Sequence, residues 1–206
     1  MLDKYLTQET CLLGEKCEAN KSLHLNSAKI PRLAVSREFV YRLFYPQIPI
    51  VLTARSGKST AAMPAVSCMS VSNDPPLLAV AVDKSLKTNR VLKKATNFGV
   101  NWIDFRKRRI ADSLSLPSKT NDKLKQAGIP YIDLLNAPIL EDSMAYVICK
   151  KTQELNLGDH TLFVGEVIGA MASTDFDEYW KYSDYRPLLY RGSPFRAPYL
   201  TVARSG

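Results

Sequence analysis

The sequence predicts a mainly β protein, an antiparallel barrel with a few flanking helices. Three observations predict it. Short apolar segments rich in β-branched residues recur along the chain, turn residues separate them, and one convincing helical pattern interrupts them. Regular alternation of strands and helices would instead have indicated a parallel βαβ sheet. No internal repeat is visible.

Taken in order, residues 1–30 show no sustained period and read as an N-terminal arm, with the barrel domain spanning 31–206. Ser36 to Phe44 reads as a helix capped by Ser36, with Phe39, Val40, Leu43 and Phe44 at helical spacing and Pro46 ending it. Strands are expected at Ile48–Ala54, Ala61–Met69, Leu77–Val82, Phe98–Ile103, Ala145–Leu155 and Thr161–Met171. Turns are expected at Ser56-Gly57-Lys58, Asn73-Asp74-Pro75-Pro76 and Leu157-Gly158-Asp159. The clear helix starts at Ser85, as its cap, and runs through Leu92 and Thr96 toward Gly99. A weaker one runs through Lys119–Gln126 to Gly128.

At 46% hydrophobic and 23% charged, the 206 residues can build a core, which excludes wholesale disorder. Nine glycines and twelve prolines are too few for a fibrous protein. No apolar run approaches the roughly 18 residues that cross a bilayer, and the N-terminus lacks a long apolar stretch of the signal-peptide kind. The expectation is a cytoplasmic protein with no membrane partner, whose cysteines (Cys11, Cys17, Cys68, Cys149) are reduced. A Cys11–Cys17 disulfide is conceivable but not favoured. With His24 and His160 as the only histidines and no CxxC or HExxH, no metal site is expected.

Charge is concentrated. Residues 84–125 hold twelve basic and three acidic residues, a net +9 in a chain of +8. Such a segment suits an anionic partner, nucleic acid or a phosphorylated cofactor, although a solvated surface is the commoner cause. Arg106-Lys107-Arg108-Arg109 lacks the interleaved aromatics that stack bases, which argues against a nucleic-acid partner.

Several motifs fail on inspection. Gly57-Lys58-Ser59-Thr60 resembles the end of a phosphate-binding loop, but Leu52 stands where the first glycine is required. There is no GxSxG, and a lone His160 after a Gly-Asp turn is more often a hydrogen-bonded edge residue than a base. Glu141-Asp142 has no independent support as an acid/base pair. Two segments carry more. Ser67-Cys68-Met69-Ser70-Val71-Ser72 puts small hydroxyls at a strand end, and Ser85-Leu86-Lys87-Thr88-Asn89 opens a helix, where free amides and Lys87 favour an anion.

Four stretches together resemble the flavin reductase-like family, whose fold is the FMN-binding split barrel. They are Tyr45–Thr53, the Ser67–Pro76 segment, Lys84–Asn89, and Gly158-Asp159-His160-Thr161-Leu162-Phe163-Val164-Gly165-Glu166-Val167, the most specific, and the likeness covers roughly residues 36–172. The resemblance implies a six-stranded Greek-key barrel, homodimeric, with FMN near the dimer interface. It implies that Ser67, Cys68 and Ser70 bind the phosphate and ribityl region, helped by Ser85, Lys87, Thr88 and Asn89. It places Thr53, Ala54 and Val66 at the edge of the ring, and His160 near the ring or the nicotinamide. Ile148-Cys149 departs from the family, since many members carry a glutamate before that cysteine.

The implied activity is an NAD(P)H-dependent flavin or ferric reductase. No protein residue is expected to be catalytic, because the cofactor carries the chemistry. NADH or NADPH would donate the hydride, with a flavin-dependent monooxygenase or another redox protein as partner. Lys84, Lys87, Arg90, Lys93 and Lys94 are candidates to meet the extra phosphate of NADPH. The competing readings are a non-enzymatic FMN electron carrier and a basic nucleic-acid-binding barrel.

Overall fold

A computed structural model describes residues 34–192 and 198–201 of the chain. The expected strands form because their apolar, β-branched residues can be buried on a pleated surface. β1 (Ile50–Ser56) and β2 (Ser59–Ala65) make a hairpin closed by Gly57, whose φ of +54 suits a residue without a side chain. β3 (Cys68–Asn73) and β4 (Pro76–Asp83) follow as a second hairpin, then α1 (Lys87–Lys94) and β5 (Asn97–Ile103). Next come α2 (Arg109–Ser115), α3 (Lys123–Gln126), and the small hairpin β6 (Tyr131–Leu134) and β7 (Ala137–Leu140). The long β8 (Ser143–Leu157) and β9 (His160–Ala172) complete the main sheet, and β10 (Leu189–Tyr190) pairs with β11 (Tyr199–Leu200).

The main sheet has seven strands in the order β2-β1-β5-β8-β9-β4-β3, every pairing antiparallel. The mainly β class and antiparallel layout agree with expectation, with one strand more than six. The extra strand arises because Ala61–Met69 is not one strand. The chain breaks at Val66 and Ser67, and Cys68 onward pairs with β4 instead of β1. Between the faces lies a core including Leu52, Val80, Val82, Leu92, Phe98 and Phe163. A second apolar cluster joins Val51, Ile103, Leu114, Leu124 and Leu188 under α2 and α3.

Local corrections follow from hydrogen bonding. The segment Arg37–Phe44 is a 3-10 helix. Ser85 does not cap α1. Its backbone N–H donates instead to Asp83 Oδ1 at 2.7 Å, and Leu86 stands at the cap position. The helix stops at Lys94, and Lys151 Nζ donates to the terminal carbonyls of Leu92 and Lys93. α3 begins late, at Lys123, because Asp122 accepts from Lys125 N and caps it. Gly57-Lys58 is a hairpin turn, consistent with the failed phosphate-loop match. Cys11, Cys17, His24 and the arm lie outside the described residues.

Candidate functional site

A cleft of about 1130 Å³ lies beside the β3 edge of the sheet. Three stretches converge on it: Tyr41–Ile50 on one side, Val66–Ser70 on the next, and the turn after β8 bearing Asp159 and His160. Leu78 and Ala81 of β4 and Trp102 of β5 form its floor. The walls are mostly apolar, with hydroxyls and the histidine at the rim.

Ser67 is held where the chain leaves β2. Its Oγ donates to the Ala81 carbonyl at 2.7 Å, and its own carbonyl accepts from Ala81 N at 3.0 Å. Among the described residues β3 is an edge strand paired only with β4, so its outer backbone amides face away from any described strand. His160 stands between two carboxylates. Its Nδ1 is 2.6 Å from Asp159 Oδ1, and it is the register partner of Asp83. The hydrogen bond from His160 holds the Asp159 carboxyl below the usual carboxylate range, and the Ser85 bonds do the same for Asp83. Burial pushes the Cys68 thiol up to about 12, so it is a neutral, inert group at the cleft wall.

Val66, Ser67, Cys68, Ser70 and His160 are thus brought together on one cleft. Thr53, Ala54, Thr88 and Asn89 are not on its wall. Thr53 is fully buried, and its hydroxyl donates to the carbonyls of Pro138 at 2.5 Å and Gly99 at 3.2 Å. Ala54 is in the core. Asn89, in the first turn of α1, is buried and donates to the Val82 carbonyl, with Thr88 buried beside it. Ser85 is exposed, and Lys87 Nζ donates to the Thr120 carbonyl at 2.5 Å.

Much of the basic segment is spent internally. Lys84 donates to Gly158 O, Arg90 to Ser85 O and Lys123 to Leu114 O, while Lys107 pairs with Asp142. Arg106 is clamped between Asp104 and Asp184. Sequence reading missed Tyr45, Ile48 and Trp102 as cleft residues. A periodicity signal cannot separate an aromatic that lines a cavity from one that packs a core. No cluster able to hold a metal ion occurs among the described residues, and no helix among them is long and apolar enough to cross a membrane.

Residues 41–198 match the family model described as "Flavin reductase like domain". The chain belongs to the flavin reductase-like family. An uncharacterised protein of Aeropyrum pernix is 30% identical over 166 residues, 77% of this chain and 62% of that one. The reductase component of the 4-nitrophenol 4-monooxygenase/4-nitrocatechol 2-monooxygenase of Rhodococcus opacus is 28% identical over 105 residues, 51% of this chain and 55% of that one. The chain therefore spans less than two thirds of these two relatives. Among solved structures, the FMN-binding protein of Thermus thermophilus with bound 1-cyclohex-2-enone superposes with a TM-score of 0.71 at 26% identity, covering 84% of this chain and 96% of that one.

Flavin reductase-like membership also gives the signature strand a physical reading. Gly158, with φ +48, makes the tight turn that presents Asp159 and His160. Phe163 is fully buried in the core. A Cβ at Gly165 would lie 2.6 Å from the Phe98 ring and 2.8 Å from Cys149 Cβ, so β9 can pass Phe98 only with glycine there.

Proposed function

We propose that the cleft binds FMN and that the protein is an NAD(P)H-dependent flavin reductase. Reduced flavin would pass to a monooxygenase, with ferric complexes as the other acceptor class. The observation that carries this reading is the cleft itself: an apolar trough bounded by an edge strand with small hydroxyls. A ring system suits the wall of Ile48, Ile50, Leu78 and Trp102, and an anionic tail suits the Ser70 hydroxyl and the outer amides of β3. Its volume exceeds the roughly 300–1,000 Å³ of ordinary ligand pockets, which leaves room for a nicotinamide beside the cofactor. The monooxygenase reductase component and FMN-binding protein among its relatives support the same reading.

When bound, the flavin supplies the hydride-accepting centre. The chain's own task is binding and orientation. Ser67, with its hydroxyl proton committed to Ala81 O, would accept from a ribityl hydroxyl at a fixed point. Asp159 orients His160, whose other ring nitrogen is available to a ligand. Exposed Met69 and Val71 on the edge strand support a homodimer that covers this side.

The test is an FMN titration followed by visible absorbance, then NADH or NADPH oxidation with added FMN. Saturable binding with turnover is expected, and Ser67→Ala with Ser70→Ala should weaken FMN at least about tenfold. A colourless protein with no saturable signal overturns the reading. The Thermus thermophilus likeness favours a second reading, an FMN electron carrier, which predicts stoichiometric flavin without nicotinamide oxidation.

A further inference from the structure

Folding sorts the basic segment of residues 84–125 into two kinds of surface. Near its middle, Arg106 and Lys107 are neutralised by Asp104, Asp184 and Asp142. Its two ends come together elsewhere. Residues 84–94 carry Lys84, Lys87, Arg90, Lys93 and Lys94 with no carboxylate among them. Lys87 Nζ donates to the Thr120 carbonyl, which brings the stretch bearing Lys119, Lys123 and Lys125 beside α1. The Thr60 N–H donates to the Asn121 carbonyl at 2.8 Å and joins the β1–β2 hairpin, with Lys58 at its tip, to the same group. These nine cations stand against one carboxylate, Asp122, and together equal the whole chain's net +8. Asp122 is itself engaged, capping α3 and accepting from Tyr131 at 2.7 Å. The carboxylates at the border are held as well: Asp133 by Arg55, Asp159 by His160, and Asp83 by the Ser85 N–H.

Anchoring does not cancel this charge. Lys84, Lys87 and Lys123 each donate to a backbone carbonyl, which orients an ammonium and leaves it charged. Lys123 is pressed toward its neutral form, first by burial and then by the charge of Lys87. Lys58, Lys93, Lys94, Lys119 and Lys125 are exposed, so the core does not require them, and their mutual repulsion opposes folding. Eight of the nine are lysines, which act as point charges at a distance. The single arginine, Arg90, turns back to the Ser85 carbonyl at 2.9 Å. No aromatic residue stands in 84–94 or 119–125 to stack a base. Lys84 Nζ donates at 2.6 Å to Gly158 O, directly before Asp159 and His160, so the face begins at the rim of the cleft and continues along α1.

We propose that this lysine face docks the carboxylate-rich surface of a redox protein that takes its reducing equivalents from the cleft. It rests on the flavin reading of the cleft and adds how the product is delivered. Charge of one sign beside a site raises encounter with an oppositely charged partner by about 10–10³-fold, and at about 0.15 M salt it acts across about 8 Å. Lysines suit that steering, whereas a phosphate polymer would be gripped by arginine forks and stacked bases.

The probes are a plant-type ferredoxin, acidic on its surface, and a lysine-rich mitochondrial cytochrome c, each titrated into the full-length protein by calorimetry without nicotinamide. A DNA duplex and phosphatidylserine vesicles test the other anions. Ferredoxin should bind saturably at about 20 mM salt and weaken about tenfold or more by about 150 mM, while cytochrome c does not bind. Lys119→Glu with Lys125→Glu should weaken ferredoxin at least about tenfold and leave FMN affinity unchanged. Arg108→Glu with Arg109→Glu makes the same change in net charge on α2 and its cap, and should cost less than about threefold. Equal losses in the two double variants, or none in the first, overturn the proposal. So does cytochrome c binding as tightly as ferredoxin, or tighter binding of DNA or vesicles than of ferredoxin at the higher salt. Failure of FMN to bind the wild type overturns the cleft reading instead, and the ferredoxin titration reports on the face separately.

Discussion

Replacing Thr53 by valine keeps the outline of a fully buried side chain and removes only its hydroxyl. That hydroxyl has one proton. It is 2.5 Å from the Pro138 carbonyl and 3.2 Å from that of Gly99, so the first contact dominates. It also accepts from Asn101 Nδ2 at 3.2 Å, but that amide keeps the Val51 carbonyl at 3.0 Å. The orphan created is Pro138 O, on the β6–β7 hairpin. One buried unsatisfied acceptor costs about 1–3 kcal/mol. Near the middle of that range, about 2 kcal/mol, a domain of this size loses about 4–8 °C in Tm. The assay is a thermal melt of Thr53→Val beside the wild type, with an FMN titration on the same samples. The expected result is a lowered Tm and an unchanged FMN dissociation constant. An unchanged Tm with weakened FMN would refute the reasoning and return Thr53 to the ring.

Gly165→Ala should lower the urea midpoint, because the new Cβ meets Phe98, and overpacking costs about 1–3 kcal/mol. The double variant with Phe98→Leu should lose less than the sum of the singles. Burial alone would raise the Asp175 carboxyl, but the backbone N–H groups of Tyr185, Asp184 and Ser183 outweigh it and hold the group below its usual value. Its folded-state pKa is depressed, so its contribution is complete above about pH 4 and lost as pH falls through the folded value. Asp175→Asn should therefore flatten the acid limb of a urea-midpoint profile. Cys68, with its thiol pushed up to about 12, should react slowly with iodoacetamide at pH 7, and FMN should slow it further by covering the cleft. Protection absent in Cys68 peptides mapped by mass spectrometry would count against flavin in that cleft.

The main hairpins were legible because glycine, proline and β-branched residues punctuate them openly, as at Gly57, Gly158 and Asn73–Pro76. The break at Val66-Ser67 was not, since Ala61–Met69 is apolar throughout and only tertiary pairing with β4 divides it. The β6–β7 hairpin was hidden because Leu135 and Asn136 adopt positive φ, which carries little signal in a leucine, and Pro138 argues against a strand. α2 was masked by the basic run before it. Among site residues, Ser67 and His160 reached the cleft because a strand break and a turn position their side chains, and Ser70 because edge strand β3 runs along it. Thr88 and Asn89 did not, since the first turn of α1 packs inward against β4 and the helix face cannot be told from so short a pattern.

The cleft is walled by the last strand of its sheet, secured along a single side. A wall of that kind frays before the sheet's interior does, so amide protons of Met69–Ser72 should exchange with solvent early. Whatever occupies the cleft must then hold the strand as well as be held by it. Occupancy and strand order become one linked equilibrium, and deuterium uptake at β3 reads the ligand's affinity without any colour change.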